Sequence, residues 1–128
     1  MNNLQRIQGI DKLLEQLPEE YHHWHLFGNV LSFNFDKHFD CEKKFEEIAC
    51  ITMLLTDKEY KYIIKVQINN VVGDVHFNVD NGFFSGLQML DVKKNGYETD
   101  RGLIVSSFEM DSELSIDCES ISVELLDN

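Results

Sequence analysis

The chain has 128 residues, 23 of them acidic and 11 basic, so its formal net charge is −12, and 43% of its residues are hydrophobic. A chain of this length buries about 65–70% of its unfolded surface on folding, which predicts one domain over residues 1–128. The hydrophobic fraction excludes a disordered acidic chain. The lack of an apolar run of about 20 residues excludes a membrane helix, and the negative charge disfavours nucleic acid as a partner.

The cysteines and the start of the sequence both indicate the cytoplasm. Cys41, Cys50 and Cys118 are odd in number and fit no C-x-x-C spacing, so neither a disulfide framework nor a structural zinc site is expected. The N-terminal segment is polar and amphipathic and lacks the apolar core of a signal peptide. We therefore expect a cytoplasmic protein that holds no metal or other cofactor.

The first predicted element is an amphipathic helix over residues 3–17. An asparagine at position 2 or 3 can cap its start, and Pro18 ends it. Its apolar stripe recurs at helical spacing and should pack on a sheet; it consists of Leu4, Ile7, Leu13, Leu14 and Leu17.

The pattern then changes to the two-residue period of strands. Within residues 24–35, alternating apolar side chains predict a half-buried strand, whereas the charged stretch 36–47 fits either a loop or a short helix. Residues 48–55 form a continuous apolar run typical of a central strand, although periodicity alone does not exclude a helix. A turn over 56–59 connects this run to a predicted strand over 60–68, whose apolar face is Tyr60, Tyr62, Ile64, Val66 and Ile68.

Turn residues divide the following segment into further strands. Gly73-Asp74, Asp80-Asn81-Gly82 and Lys94-Asn95-Gly96 predict turns, and residues 110–113 predict another. Strands are expected over 75–79, 83–92 and 102–110. The fold class is thus mainly β (α+β), an antiparallel sandwich or open barrel of about six to eight strands with one N-terminal helix.

The C-terminal segment contains a change of phase. Its first apolar triplet and its second have opposite parity, so a straight strand would place them on opposite faces of a sheet. A β-bulge near Glu119-Ser120 would bring both triplets to one face, and so would a tight bend between two short strands. The triplets are Leu114, Ile116 and Cys118, then Ile121, Val123 and Leu125.

Motifs for catalysis are weak. His22, His23 and His25 are conceivable metal ligands, but no H-E-x-x-H spacing accompanies them. The sequence has no G-x-S-x-G elbow, no phosphate-binding glycine loop and no defined pair of carboxylates. We therefore expect a protein that is not an enzyme.

Charge is distributed unevenly along the chain. Residues 98–128 hold nine acidic side chains against Arg101, a net charge of −8, which leaves −4 for the other 97 residues. Such a field keeps proteins apart in solution, and it also attracts and selects a basic partner. Both interpretations fit the sequence.

The last third of the chain carries a series of short elements. They are a strand with Gly86-Leu87, a turn with Gly96-Tyr97-Glu98, a strand with Val105 and Phe108-Glu109, and a strand with Cys118, Ile121 and Val123. This series resembles the immunity proteins of bacterial polymorphic toxins, in particular the group numbered fifty. The resemblance implies a cytoplasmic inhibitor that binds one cognate toxin, many of which are basic and attack nucleic acids.

The leading hypothesis is an immunity protein whose acidic β surface binds its toxin. The residues expected to contact the toxin are Tyr97 as an aromatic anchor and the acids Glu109, Asp111, Glu113, Asp117, Glu119 and Glu124. The alternatives are a small-ligand or metal-binding β module that uses the histidine run, and an assembly protein that pairs through a sheet edge.

Overall fold

The computed structural model describes residues 7–40, 46–78, 88–91, 103–106 and 113–126. The prediction of a mainly β chain is confirmed. No helix within these ranges is long and apolar enough to cross a membrane. The elements are β1 (Ile7–Gln8), α1 (Ile10–Gln16), two 3-10 helices (Glu19–Tyr21 and Trp24–Phe27), β2 (Asn29–Asp40), β3 (Glu46–Thr56), β4 (Ile63–Asn78), β5 (Gln88–Asp91), β6 (Leu103–Ser106) and β7 (Glu113–Leu126).

The described strands form one mixed sheet. Their order is β2-β3-β4-β7-β6-β5, and all neighbours along this path are antiparallel. β1 departs from the predicted antiparallel arrangement, because it pairs parallel with the second half of β7. β7 therefore has β4 on one side and, on the other, first β6 and then β1.

The N-terminal helix is shorter than predicted. Residues 3–6 lie outside the described ranges, and α1 begins at Ile10 because Gly9 adopts a left-handed backbone with φ 84°. Ile7, assigned to the helix by its spacing, instead lies in β1 opposite Ile121. Leu13 and Leu17 are buried as the stripe predicted, and Leu17 N–H donates to the Leu13 carbonyl at the C-terminal end of the helix.

Two predictions between the helix and β4 need correction. The strand predicted over 24–35 begins only at Asn29, since residues 24–27 form a 3-10 helix. The charged stretch 36–47 is neither a loop nor a helix where it is described, because β2 continues to Asp40 and β3 begins at Glu46. The two strands hold charged side chains on their exposed surface, and one pair meets across them: Lys37 Nζ lies 3.4 Å from Glu47 Oε1.

The central hairpin follows the sequence closely. β3 contains the whole predicted run 48–55, and Asp57 organises the predicted turn by accepting backbone N–H bonds from Glu59, Lys61 and Tyr62. The next strand starts at residue 63, three residues later than predicted, because Tyr60 has φ 57° in the turn. The alternation is confirmed, since Ile64, Val66 and Ile68 are fully buried.

Gly73-Asp74 does not form the predicted turn. β4 runs through it to Asn78, and the register with β7 shifts between Val72 and His76, so the extra residues form a bulge. Backbone is described for 88–91 and 103–106 of the strands predicted over 83–92 and 102–110, and both segments are strands. The turns predicted at 80–82 and 94–96 lie outside the described residues, as do 110–112.

The core lies on one face of this sheet. The buried side chains of β3, β4 and β7 alternate towards it, and α1 and the 3-10 helix 24–27 cover it with further apolar residues. Fully buried members are Leu13, Phe27, Ile51, Met53, Leu55, Ile64, Val66, Ile68, Ile116, Cys118 and Ile121.

The sheet bends sharply over this inner face. Phe33 on β2 is aligned, through Met53, with Val66 of β4. Phe77 follows Val66 by eleven residues, which would place it roughly 36 Å away along a straight strand. The rings of Phe33 and Phe77 nevertheless have centroids 4.2 Å apart. The second half of β4 therefore folds back across the core.

The phase change in the C-terminal segment marks this bend. Both apolar triplets face the core, as predicted. The bulge interpretation is wrong for β7, because the register is the same at Ser120 opposite Asn69 and at Cys118 opposite Val71. Neither strand gains a residue there. β4 and β7 bend together and stay paired, so the change of face occurs within one continuous strand.

Replacing Gly9 tests how α1 is joined to the sheet. A Cβ at Gly9 would clash with the carbonyl oxygen of Val123, and φ 84° is strained for other residues. We expect Gly9→Ala to lower the free energy of unfolding by about 2 kcal/mol or more in urea titrations. Gly9→Asn tolerates the left-handed backbone but also carries a Cβ, so it should be equally unstable. A stable Gly9→Asn would show that backbone conformation, and not the close contact, is the constraint.

Candidate functional site

The acidic residues predicted to bind a partner converge on β7 where they are described. The outer face of β7, defined as the side opposite the core, presents Ser115, Asp117, Ser120, Ser122 and Glu124, with Glu119 at the bend. Glu113 is the first residue of the same strand. Tyr97, Glu109 and Asp111 lie outside the described residues, so their predicted contacts are neither supported nor contradicted.

The acids of β7 differ in accessibility and surroundings. Glu119 and Glu124 are exposed, whereas Asp117 is half-buried between β4 and β6. Glu124 stands directly opposite Lys65 of β4, so its charge faces a cation across the strands. Glu119 and Glu124 are therefore accessible carboxylates, and Glu124 has Lys65 aligned beside it.

Glu119 is held at the bend by a side chain of β4. Asn70 Nδ2 donates a 2.5 Å hydrogen bond to Glu119 Oε2. Asn70 has φ 53°, in the left-handed region that asparagine adopts more readily than most residues. The bend thus fixes the position of a carboxylate that would otherwise sample several rotamers.

An open depression surrounds this carboxylate. It forms where β4 leaves β3: the β3–β4 pairing stops at Ile51 opposite Ile68, while β3 continues beside β2. Besides Glu119 and Asn70, its lining consists of Ile48, Cys50, Gln67, Asn69 and Ser120.

Sequence reasoning identified Glu119 but missed the amides around it. Asn69-Asn70 directly follows the clearest alternating run of the chain. Two consecutive asparagines in a strand pattern are a signal for a left-handed residue, because asparagine is poor in strands but tolerated there. The turn was predicted at Gly73-Asp74 instead, because glycine is the more familiar marker of such a change.

The histidine run lies at the two 3-10 helices: His22 ends the first, and His23 and His25 lie at the start of the second and within it. His22 Nε2 is 2.9 Å from the Leu17 carbonyl oxygen, and the rings of His23 and His25 have centroids 5.4 Å apart. Within the described ranges, no three His, Cys, Asp or Glu side chains are grouped so that they can hold a metal ion.

The aromatic residues next to this run pack against one another. The Tyr21 and Tyr62 rings meet edge-on with centroids 4.9 Å apart, and Lys61 Nζ lies 5.9 Å from the Tyr21 ring centre. Desolvation raises the pKa of Tyr21, and the nearby Lys61 charge opposes that rise. The phenol is therefore neutral at physiological pH and acts here as a packing group.

Comparisons with protein-family models, curated proteins and solved structures found no match to this chain. Function therefore has to be inferred from the residues and their geometry.

The left-handed conformation of Asn70 can be tested directly. We expect Asn70→Val to lower the free energy of unfolding by about 2 kcal/mol, because a β-branched residue is strained at φ 53°. Asn70→Gly accepts this backbone and should cost less than about 1 kcal/mol, despite losing the bond to Glu119. Asn34→Val, at an exposed position of β2, is the control and should be neutral within about 0.5 kcal/mol. Equal losses of stability for the valine and glycine variants at position 70 would contradict the left-handed backbone conformation of Asn70.

Proposed function

We propose that the protein is an immunity-type inhibitor that binds a basic bacterial toxin through the outer face of β7. The observation that carries the proposal is the position of Glu119, exposed on a paired strand and fixed by Asn70 within the most acidic part of the chain. The resemblance of the C-terminal elements to polymorphic-toxin immunity proteins points to the same role. On this proposal the protein acts in the cytoplasm and is not an enzyme.

The inhibition follows from charge and rigidity. A nuclease-type toxin has a basic cleft that binds phosphate, and carboxylates placed at that cleft compete for the same cations. Glu119 and Glu124 are five residues apart along β7, roughly 16 Å in an extended strand. Because both project from a strand that is paired with β4, little backbone conformational entropy is lost when they contact the toxin.

A sheet edge supports a second candidate, assembly with another subunit. β2 is the last strand of the described sheet on its side, and two of its apolar side chains are exposed, Leu31 by 42% and Phe35 by 45%. Long edge strands that no other element covers pair readily with other chains. A concentration-dependent oligomer of the purified protein, with no toxin present, would favour this function.

We also infer that the sheet forms an open barrel and not two separate sheets. β4 and β7 pass through the bend without losing their pairing. β3 and β5, four places apart in the strand order, both contact the 3-10 helix 24–27. A sheet that wraps around the core accounts for both contacts.

Co-expression tests the proposed function. The protein encoded by the gene immediately upstream is the first candidate toxin. If the proposal holds, the upstream product should stop growth of a sensitive host when it is expressed alone. Growth should return when the 128-residue chain described above is co-expressed. The two proteins should also elute together in gel filtration. An upstream product that is harmless, or that kills equally in both cases, would count against inhibition.

Charge reversal on β7 tests the binding face. We expect Glu119→Lys with Glu124→Lys to weaken the toxin complex at least tenfold, about 1.4 kcal/mol, and to reduce the salt dependence of association. Glu15→Lys with Glu20→Lys is the matched control, because it makes the same charge change at exposed positions on and just after α1. Equal losses in both double variants would mean that net charge alone, and not this face, controls binding.

A further inference from the structure

The depression at the bend has the lining of a receptor for one cationic side chain. Its polar lining consists of Glu119, Gln67, Asn69, Asn70 and Ser120, all of which carry side-chain oxygen acceptors. Gln67 Nε2 donates a 3.3 Å hydrogen bond to Asn69 Oδ1, so these two amides are oriented against each other. The remaining wall of the depression, contributed by β3, holds Ile48 and Cys50. Among the described residues that line it there is no lysine or arginine.

This combination favours arginine over the other natural side chains. A guanidinium carries five N–H donors in a plane and no acceptor, so several oxygen acceptors around one carboxylate match it. Its three methylene groups can lie along an apolar wall such as Ile48 while the charge reaches the polar groups. An anionic group is disfavoured, since Glu119 and the net charge of −12 both repel it.

We propose that this depression receives an arginine side chain of the bound partner, which pairs with the Glu119 carboxylate. The proposal rests on the proposed function, because it names the contact through which a basic protein binds. Asn70 is a positioning residue: its amide holds one carboxylate oxygen of Glu119 at 2.5 Å. Hydrogen-bonded contacts between arginine and a carboxylate are among the stronger polar interactions in interfaces.

Cys50 provides a probe of the depression that needs no partner. It is half-buried in the lining, and Cys118 is fully buried, so Cys50 can be labelled selectively once Cys41 is replaced by serine. Methanethiosulfonate reagents exist with a trimethylammonium or a sulfonate end. The Cys50 thiolate attacks the sulfenyl sulfur, a disulfide forms, and methanesulfinate leaves. The ratio of the cationic to the anionic rate reports the charge that the reagent meets.

The first experiment measures this ratio in the Cys41→Ser protein. We expect the cationic reagent to react faster, and we expect Glu119→Gln to lower the ratio by about threefold or more. Glu124→Gln removes the same charge outside the depression and should change the ratio much less. A change in accessibility alters both rates together, so only a change in charge moves the ratio. Equal effects of the two variants would overturn the proposal.

The second experiment adds the upstream toxin candidate. Insertion of an arginine should protect Cys50 from both reagents, and Glu119→Gln should weaken the complex while Glu124→Gln weakens it less. A stable complex in which Cys50 reacts as fast as in the free protein would overturn the proposal and leave the proposed function intact. If no complex forms, the proposed function fails and the partner arginine fails with it, while the first experiment still decides whether the depression attracts cations.

Discussion

The structure depends on the joint bend of β4 and β7. The core is one cluster that extends beneath both halves of β4, and the rings of Phe33 and Phe77, with centroids 4.2 Å apart, meet at its edge. A straight pair of strands would leave the second apolar triplet or the first on the solvent side. By changing face together at Asn69–Asn70 and Glu119–Ser120, the two strands bury both triplets and lose no residue of register.

This bend also creates the candidate site. β4 leaves β3 where it turns, while β3 continues beside β2, so a depression opens between them on the outer face. The residues that do not fit the inward alternation at a bend have to point elsewhere, and here they are polar: Asn69, Asn70, Glu119 and Ser120. The candidate site is therefore a geometrical consequence of how the core closes. The same bend places Asn70 where its side chain donates to the Glu119 carboxylate.

Local patterns in the sequence predicted the fold class and the central strands. They did not predict the element boundaries that depend on tertiary contacts. Ile64, Val66 and Ile68 alternate within one strand, so their burial follows from period two alone. Ile7 fits a helix by spacing, yet it lies in β1, because the backbone of Gly9 against Val123 starts the helix later. The stretch 36–47 fits no single pattern in the sequence, whereas in the structure its Lys37 and Glu47 face each other from two paired strands, and such pairing is a property of two strands together. In the same way, the candidate site combines Glu119, recognisable from charge, with amides and a thiol from β3 and β4 that only the bend brings to it.

The acidic residues near the C-terminus are not equivalent once their positions on the strands are known. A count of acids treats all of them as equal contributors to a negative field. In the structure, Asp117 is half-buried, Glu124 faces Lys65, and Glu119 lies in a depression with amide neighbours. A carboxylate that is already oriented loses less entropy on binding, and Asn70 orients Glu119 in this way. On the proposed function, selectivity for a basic partner is therefore expected to come from the carboxylate of Glu119, while the remaining acids contribute the long-range field that speeds the encounter.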